Sequence, residues 1–124
     1  MIELKNLDPS DAFLAVLQGP DDGQPITLIN TFAAPDGQTD KILDIWREDA
    51  LIMKAQPGLI SAQLYRGIGD SHVLTNVAVW ENLTCLRNAF MTEKFQSTLA
   101  HYPDGAAAYP VIMRKQAVPA VCVG

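Results

Sequence analysis

The stretch His72–Glu81 reads HVLTNVAVWE and constrains the fold more than any other part of the chain. Val73, Thr75, Val77, Val79 and Trp80 favour extended backbone, because β-branched and aromatic side chains pack well on a pleated surface. Side chains of a strand alternate between its two faces. Leu74, Asn76, Ala78 and Trp80 therefore share one face, and Val73, Thr75, Val77 and Val79 share the other. Both rows are mainly apolar, so both need cover. One row also carries an amide, Asn76. A covered amide without a partner is unfavourable by roughly 1–3 kcal/mol. Asn76 and Trp80 thus face either an ordinary core or a pocket.

A chain of 124 residues, nearly half of them hydrophobic, is long enough for one domain with its own core. Its net charge of -5 argues against a nucleic-acid partner, which would call for a basic patch, and against an anionic membrane surface. No apolar run approaches the roughly 18–20 residues that cross a bilayer. Glu3, Asp8 and Asp11 do not resemble the basic start of a signal peptide. Cys85 and Cys122 fit neither a metal spacing nor a disulfide framework, and free thiols suit the cytoplasm.

Residues 1–24 read as an extension packed on the domain formed by residues 25–124. Asp8-Pro9-Ser10-Asp11 marks a helix start, Ala12 to Leu17 a short helix, and Gly19 to Gly23 a loop. Ile26 to Ala33 is a strand in which Ile26, Leu28, Asn30 and Phe32 face one way, so again one Asn interrupts an apolar row. After the turn Pro35-Asp36-Gly37, Thr39 is placed to cap a helix running to about Gln56. Ile42, Ile45, Trp46, Ala50 and Met53 recur on it at helical spacing, with Asp49 the odd member of the stripe. Pro57-Gly58 stops it. Leu59 to Ile68 reads as a strand that forms a hairpin with the stretch described first. A second helical region opens at Asn82, carries Leu86, Ala89, Phe90, Phe95 and Leu99 on one face, and breaks near Met91-Thr92. Tyr109 to Val123 reads as the last strand, bent at Pro119.

The order β-α-β-β-α-β is the ferredoxin-like α+β plan, a four-stranded antiparallel sheet with both helices on one face. The other face is then apolar and bare, which is rare on a monomer. A second copy packed on it, giving a homodimeric α/β barrel, is the simplest cover.

The chain resembles the antibiotic biosynthesis monooxygenase family of dimeric α/β-barrel proteins. The resemblance spans roughly Pro25 to Tyr109 and rests on ITLINTF, on MKAQPG at Met53 to Gly58, on LISAQLYRGI, on NVAVWEN at Asn76 to Asn82, and on Ala89-Phe90 with EKFQ following. It implies oxidation of a small aromatic or polyketide-like molecule by molecular oxygen with neither flavin nor metal. It also implies a pocket between sheet and helices, with Asn76 and Trp80 as the catalytic pair. The amide would donate to an enolate oxygen, while the indole donates its N–H and stacks on a flat ring. A haem-degrading branch of the same superfamily would use Asn30 and Trp80 together with an axial His. That position falls near Leu99, which cannot ligate iron, and His101 lies about 200° round the helix from it. A ligand-binding or stress-response module without turnover is the reading from a different functional class.

Around that pair, Asn30 is the third polar candidate for binding substrate. Trp46, Met53 and Phe90 are core by default and pocket wall if a pocket exists. Tyr65 and Arg66 are neighbours on opposite faces of one strand, so at most one of them, with Tyr65 the candidate, points inward. His101 suits proton abstraction near neutral pH, although late in a helix it also suits the dipole. His72 reads as a solvated turn residue. No motif for a cofactor or a metal is present.

Overall fold

The computed structural model describes residues 1–124. The elements in order are β1 (Glu3–Leu4), α1 (Phe13–Leu17), β2 (Ile26–Ala33), α2 (Thr39–Lys54), β3 (Leu59–Arg66), β4 (Val73–Trp80), α3 (Leu83–Phe90), α4 (Glu93–Thr98) and β5 (Ala107–Met113). A single 3-10 turn, Leu99–His101, follows α4.

The sheet order is β1-β5-β2-β4-β3. The four long strands are antiparallel neighbours, and β1 adds to β5 in parallel. The expected four-stranded sheet is therefore a five-stranded mixed sheet with helices on one face. The fifth strand, Glu3–Leu4, is too short to show any alternation in the sequence. Its backbone is held through Glu3 N–H to the Ala106 carbonyl at 3.0 Å and Lys5 N–H to the Ala108 carbonyl at 2.8 Å.

At the centre of the sheet, β2 and β4 pair without interruption from Ile26↔Trp80 to Ala33↔Val73. This register puts the two Asn-bearing rows on the same face, under the helices. Leu28, Phe32, Leu74, Ala78 and Trp80 are buried there. They belong to two core clusters, one gathered round Trp80, Leu86 and Leu17, the other round Ile42, Leu74 and Tyr102. The opposite face carries no helix, and Val73 and Tyr65 are exposed on it. Thr31 and Thr75 there share a hydroxyl–hydroxyl hydrogen bond of 3.0 Å.

Local sequence explains most element ends. Asn82 caps α3 by accepting from Cys85 N–H, and Thr92 caps α4 by accepting from Phe95 N–H. This second cap is the break seen near Met91-Thr92. The N-cap of α2 is Gln38, not Thr39, and it makes no side-chain capping bond; Thr39 is itself helical and buried. Gly58 has φ 99°, and a Cβ there would lie 2.5 Å from the Cys85 side chain, so both the turn and the packing call for glycine. β5 ends at Met113, opposite Thr27, instead of running on to Val123. Its partner β2 starts at Ile26, so the ladder runs out, and Val118–Cys122 closes a separate small turn round Pro119.

Residues 1–24 are fastened to the rest by specific bonds. Ile2, Phe13 and Leu17 are buried. Arg87 of α3 donates through Nε to the Leu17 carbonyl at 2.7 Å and through its guanidinium to the Gly19 carbonyl at 2.6 Å. Asp21 accepts from the N–H and the hydroxyl of Thr84 in the first turn of α3, at 3.0 and 2.6 Å. Arg114 pairs in bidentate fashion with Asp22.

Candidate functional site

A cavity lies between the sheet and the helices. Its atom-free space, mouth included, is about 770 Å³, of which about 80 Å³ is open to the centre of a water molecule. One water needs roughly 10–15 Å³ by that measure, so the space exceeds what a single water fills. Of its 22 lining residues 18 are hydrophobic, which makes the few polar ones decisive. The sheet supplies the floor through Leu28, Asn30, Ala62, Asn76, Ala78 and Trp80. Helix α2 supplies Trp46, Asp49, Ala50 and Met53; Phe90, Phe95, Leu99 and Tyr102 add to the wall from the later helical region, and Ile2, Leu4 and Phe13 from residues 1–24.

Four buried polar atoms in the chain lack a hydrogen-bond partner: Oδ1 of Asn30, Oδ1 of Asn76, Oδ1 of Asp49 and Nε1 of Trp80. All four residues line this one cavity. Unsatisfied buried polar groups are rare, because each is unfavourable by roughly 1–3 kcal/mol. Their convergence on one space makes it the candidate site. Asn30 and Asn76 are cross-strand partners in the central ladder. Trp80 is 1% exposed, and its indole N–H can only donate.

Asp49 is 7% exposed on the inner face of α2. Its Oδ2 accepts a hydrogen bond from the Tyr102 hydroxyl. Thr98 also approaches this carboxyl, although its hydroxyl donates to the Phe95 carbonyl at 2.7 Å. Burial pushes the Asp49 carboxyl above the ordinary aspartate range, against the opposing hydrogen bonds; Glu48 adds to the rise and His101 opposes it. Burial, then the neighbouring Asp49 charge, pushes the Tyr102 hydroxyl far up, so Tyr102 stays a neutral donor.

Of the residues singled out from the sequence, Asn30, Trp46, Met53, Asn76, Trp80 and Phe90 stand together on the cavity wall. Tyr65 and His101 lie elsewhere, and their expected place at the pocket is corrected. Tyr65 is 60% exposed on the bare face, because the irregularity between Leu59 and Ser61 pairs Leu64 with Asn76 and turns Tyr65 away with Thr75. His101 sits half-exposed in the 3-10 turn, with Nδ1 at 3.3 Å from Glu48 Oε1. Arg66 reaches Asp40 at 2.8 Å, and His72 lies 3.3 Å from Asp36 in the turn region. Asp49 was visible in the sequence only as a carboxylate out of place on an apolar stripe. Tyr102, and Ile2, Leu4 and Phe13 of the extension, gave no signal of their place at the cavity. No group of three His, Cys, Asp or Glu side chains is placed to hold a metal, and no helix is long and apolar enough to cross a membrane.

Residues 25–100 match the sequence profile of the antibiotic biosynthesis monooxygenase family. The chain belongs to this family. Members of the antibiotic biosynthesis monooxygenase fold also stand among its structural neighbours. SnoaB, a cofactor-independent oxygenase from Streptomyces nogalater, is 18% identical with a TM-score of 0.67, over 78% of this chain and 98% of SnoaB. A presumed monooxygenase from Shewanella loihica PV-4 is 27% identical with a TM-score of 0.65, over 81% of this chain and 100% of the other. PA3566 from Pseudomonas aeruginosa is 21% identical with a TM-score of 0.60, over 75% and 96%. No curated protein sequence matches the chain. Within the family match fall Asn30, Trp46, Asp49, Asn76 and Trp80, whereas Tyr102 and the walls from the extension lie outside it.

Proposed function

We propose that this protein is a cofactor-independent monooxygenase that oxidises a small, flat aromatic or polyketide-like molecule with molecular oxygen. The observation that carries the reading is the convergence of the orphaned Asn30, Asn76 and Trp80 atoms on one apolar slot. Membership of the family and the likeness to SnoaB support it.

Asn76 and Trp80 are the catalytic pair in this reading, with Asn30 as a third polar contact. An electron-rich anthrone held on the sheet floor loses a proton and becomes an enolate. The amide N–H₂ groups and the indole N–H donate to its oxygen, an electrostatic role that is strong in a dry cavity. The substrate anion then reduces oxygen directly. The ring methylene plus one O₂ becomes a carbonyl plus one water, so the substrate itself supplies both electrons that the second oxygen atom needs. Trp46, Met53 and Phe90 shape the slot and keep water out.

The bare sheet face suits a second copy of the chain. The Val77 and Val79 row and the Thr31–Thr75 pair would lie against their counterparts, giving a homodimer with the helices outside.

Oxygen uptake with dithranol, measured against an identical protein-free mixture, tests the activity. One O₂ consumed per anthrone, with quinone appearing at the same rate and uptake much slower in Asn76→Ala, is the expected result. Uptake no faster than the protein-free control removes the monooxygenase reading and leaves a binding protein.

A further inference from the structure

We propose that Asp49 is the proton acceptor of this cavity, its free Oδ1 taking the proton from an acidic C–H or O–H of a flat phenolic ligand while Tyr102 holds Oδ2. The proposal rests on the substrate class inferred above and adds the group that the enolate chemistry requires.

Three observations point to it. First, Asp49 is the single charged residue among those lining the cavity. With no Lys or Arg on the wall, a carboxylate ligand would meet like charge and no counter-ion, so the site favours a neutral molecule with an acidic hydrogen. Second, the two carboxylate oxygens are unequal. Oδ2 is committed to Tyr102, while Oδ1 is buried without a partner on a residue of the cavity wall. A carboxylate held by one oxygen and free at the other has a fixed aim, as a general base requires. Third, Asp49 comes from α2 while Asn30 and Asn76 come from the sheet. A flat ligand between them can give its proton to one layer and its developing oxygen charge to the other.

The surroundings support a basic carboxylate. Glu48 lies on its own helix, Thr98 on α4, and His101 and Tyr102 come from the segment after α4; the sheet presents only the neutral Asn30 and Asn76. Burial raises the carboxyl above the ordinary range, which makes its ionised form a stronger base than a free aspartate. In the step, the ligand C–H bond breaks, its electron pair moves to the ring oxygen as an enolate, and an O–H bond forms at Asp49 Oδ1. Oxygen enters only afterwards.

The experiment uses dithranol under argon, following the visible absorption of its anion, with binding read separately by tryptophan fluorescence. Wild type is expected to generate the anion at pH values where free dithranol stays neutral. Asp49→Asn, near-isosteric and still able to accept from Tyr102, is expected to bind but to form at least about tenfold less anion; Asp49→Glu should restore part of it. Once air is admitted, Asp49→Asn should lower the oxidation rate on the order of 10²-fold and flatten its rise with pH. Anion formation in Asp49→Asn equal to wild type overturns the proposal, as does wild type that forms no anion. Anion formation without oxygen uptake supports the role of Asp49 and removes the monooxygenase reading. Undiminished oxygen uptake in Asp49→Asn keeps that reading and removes Asp49.

Discussion

Asn30 and Asn76 face each other across the β2–β4 ladder, and the Oδ1 of neither finds a hydrogen-bond partner within the chain. Cross-strand neighbours on one face stand about 4.5–5.5 Å apart at Cβ, close enough for two amides to grip one ligand group. Each amide carries an N–H₂ donor and a C=O acceptor, and the way it is turned decides which of them meets a ligand.

This arrangement separates function from stability. Asn76→Ala removes no hydrogen bond within the fold and relieves a buried orphan, so its stability should stay within about 1 kcal/mol of wild type. Turnover of dithranol should fall on the order of 10²-fold, as for loss of an oxyanion donor. Thermal unfolding and oxygen uptake on the same preparation check both halves. A variant that unfolds early yet turns over normally would falsify the assigned role.

Asp49 carries a sign for stability against pH. Its folded-state carboxyl titrates above the unfolded value of 3.8, so the fold holds its proton more tightly than the unfolded chain does. That contribution is fully present below 3.8 and is lost as pH rises through the raised folded value. Asp49→Asn keeps the acceptor for Tyr102 without the buried charge, so it should melt higher than wild type at pH 7, with the gap closing in acid. Melting temperatures of the pair across a pH series give the answer; a lower melting temperature for Asp49→Asn at pH 7 contradicts it.

Asp21 has the opposite sign. The Thr84 hydroxyl, followed by the Gly23 and Thr84 backbone amides, holds its carboxyl down at about 2. Its contribution is present above 3.8 and is lost as pH falls toward about 2. In Asp21→Ala this part of the acid sensitivity should disappear, and the start of α3 should exchange amide hydrogens faster. Equal acid unfolding of the two proteins would sink the assignment.

Arg87 fixes the extension through two charge-assisted bonds to the Leu17 and Gly19 carbonyls. Such bonds contribute about 1.5–3 kcal/mol each when partly buried. Arg87→Ala should therefore loosen residues 13–19, raise their hydrogen exchange and expose them to protease before the rest. Because Phe13 lines the cavity, dithranol binding should weaken as well. Unchanged exchange over that segment would count against the tie.

The bare sheet face predicts association. Wild type should sediment at twice 13.5 kDa, and Val77→Lys, placing a charge at the centre of that face, should sediment as a single chain. A wild-type monomer at micromolar concentration would exclude the dimer.

Much of this was legible in the residues alone. The alternation in Ile26–Ala33 and Val73–Trp80, the apolar stripe of α2 and the breaks at Gly58 and Thr92 mark the central strands, the helices and the order of the elements, though not the end of the last strand, because these signals are local and repeat with the period of the element. The same alternation put Asn76 and Trp80 on one face. What it could not supply was register and docking. That Asn30 stands opposite Asn76, that Tyr65 turns to the bare face, and that His101 stays at the surface against Glu48 depend on pairings between residues far apart in the chain. Asp49 was an anomaly in a helical stripe until Tyr102, 53 positions later, claimed one of its oxygens and the cavity left the other free. Periodicity decides which face a side chain takes. Only the packing of layers decides whether that face meets a neighbour, solvent or an empty space shaped for a ligand.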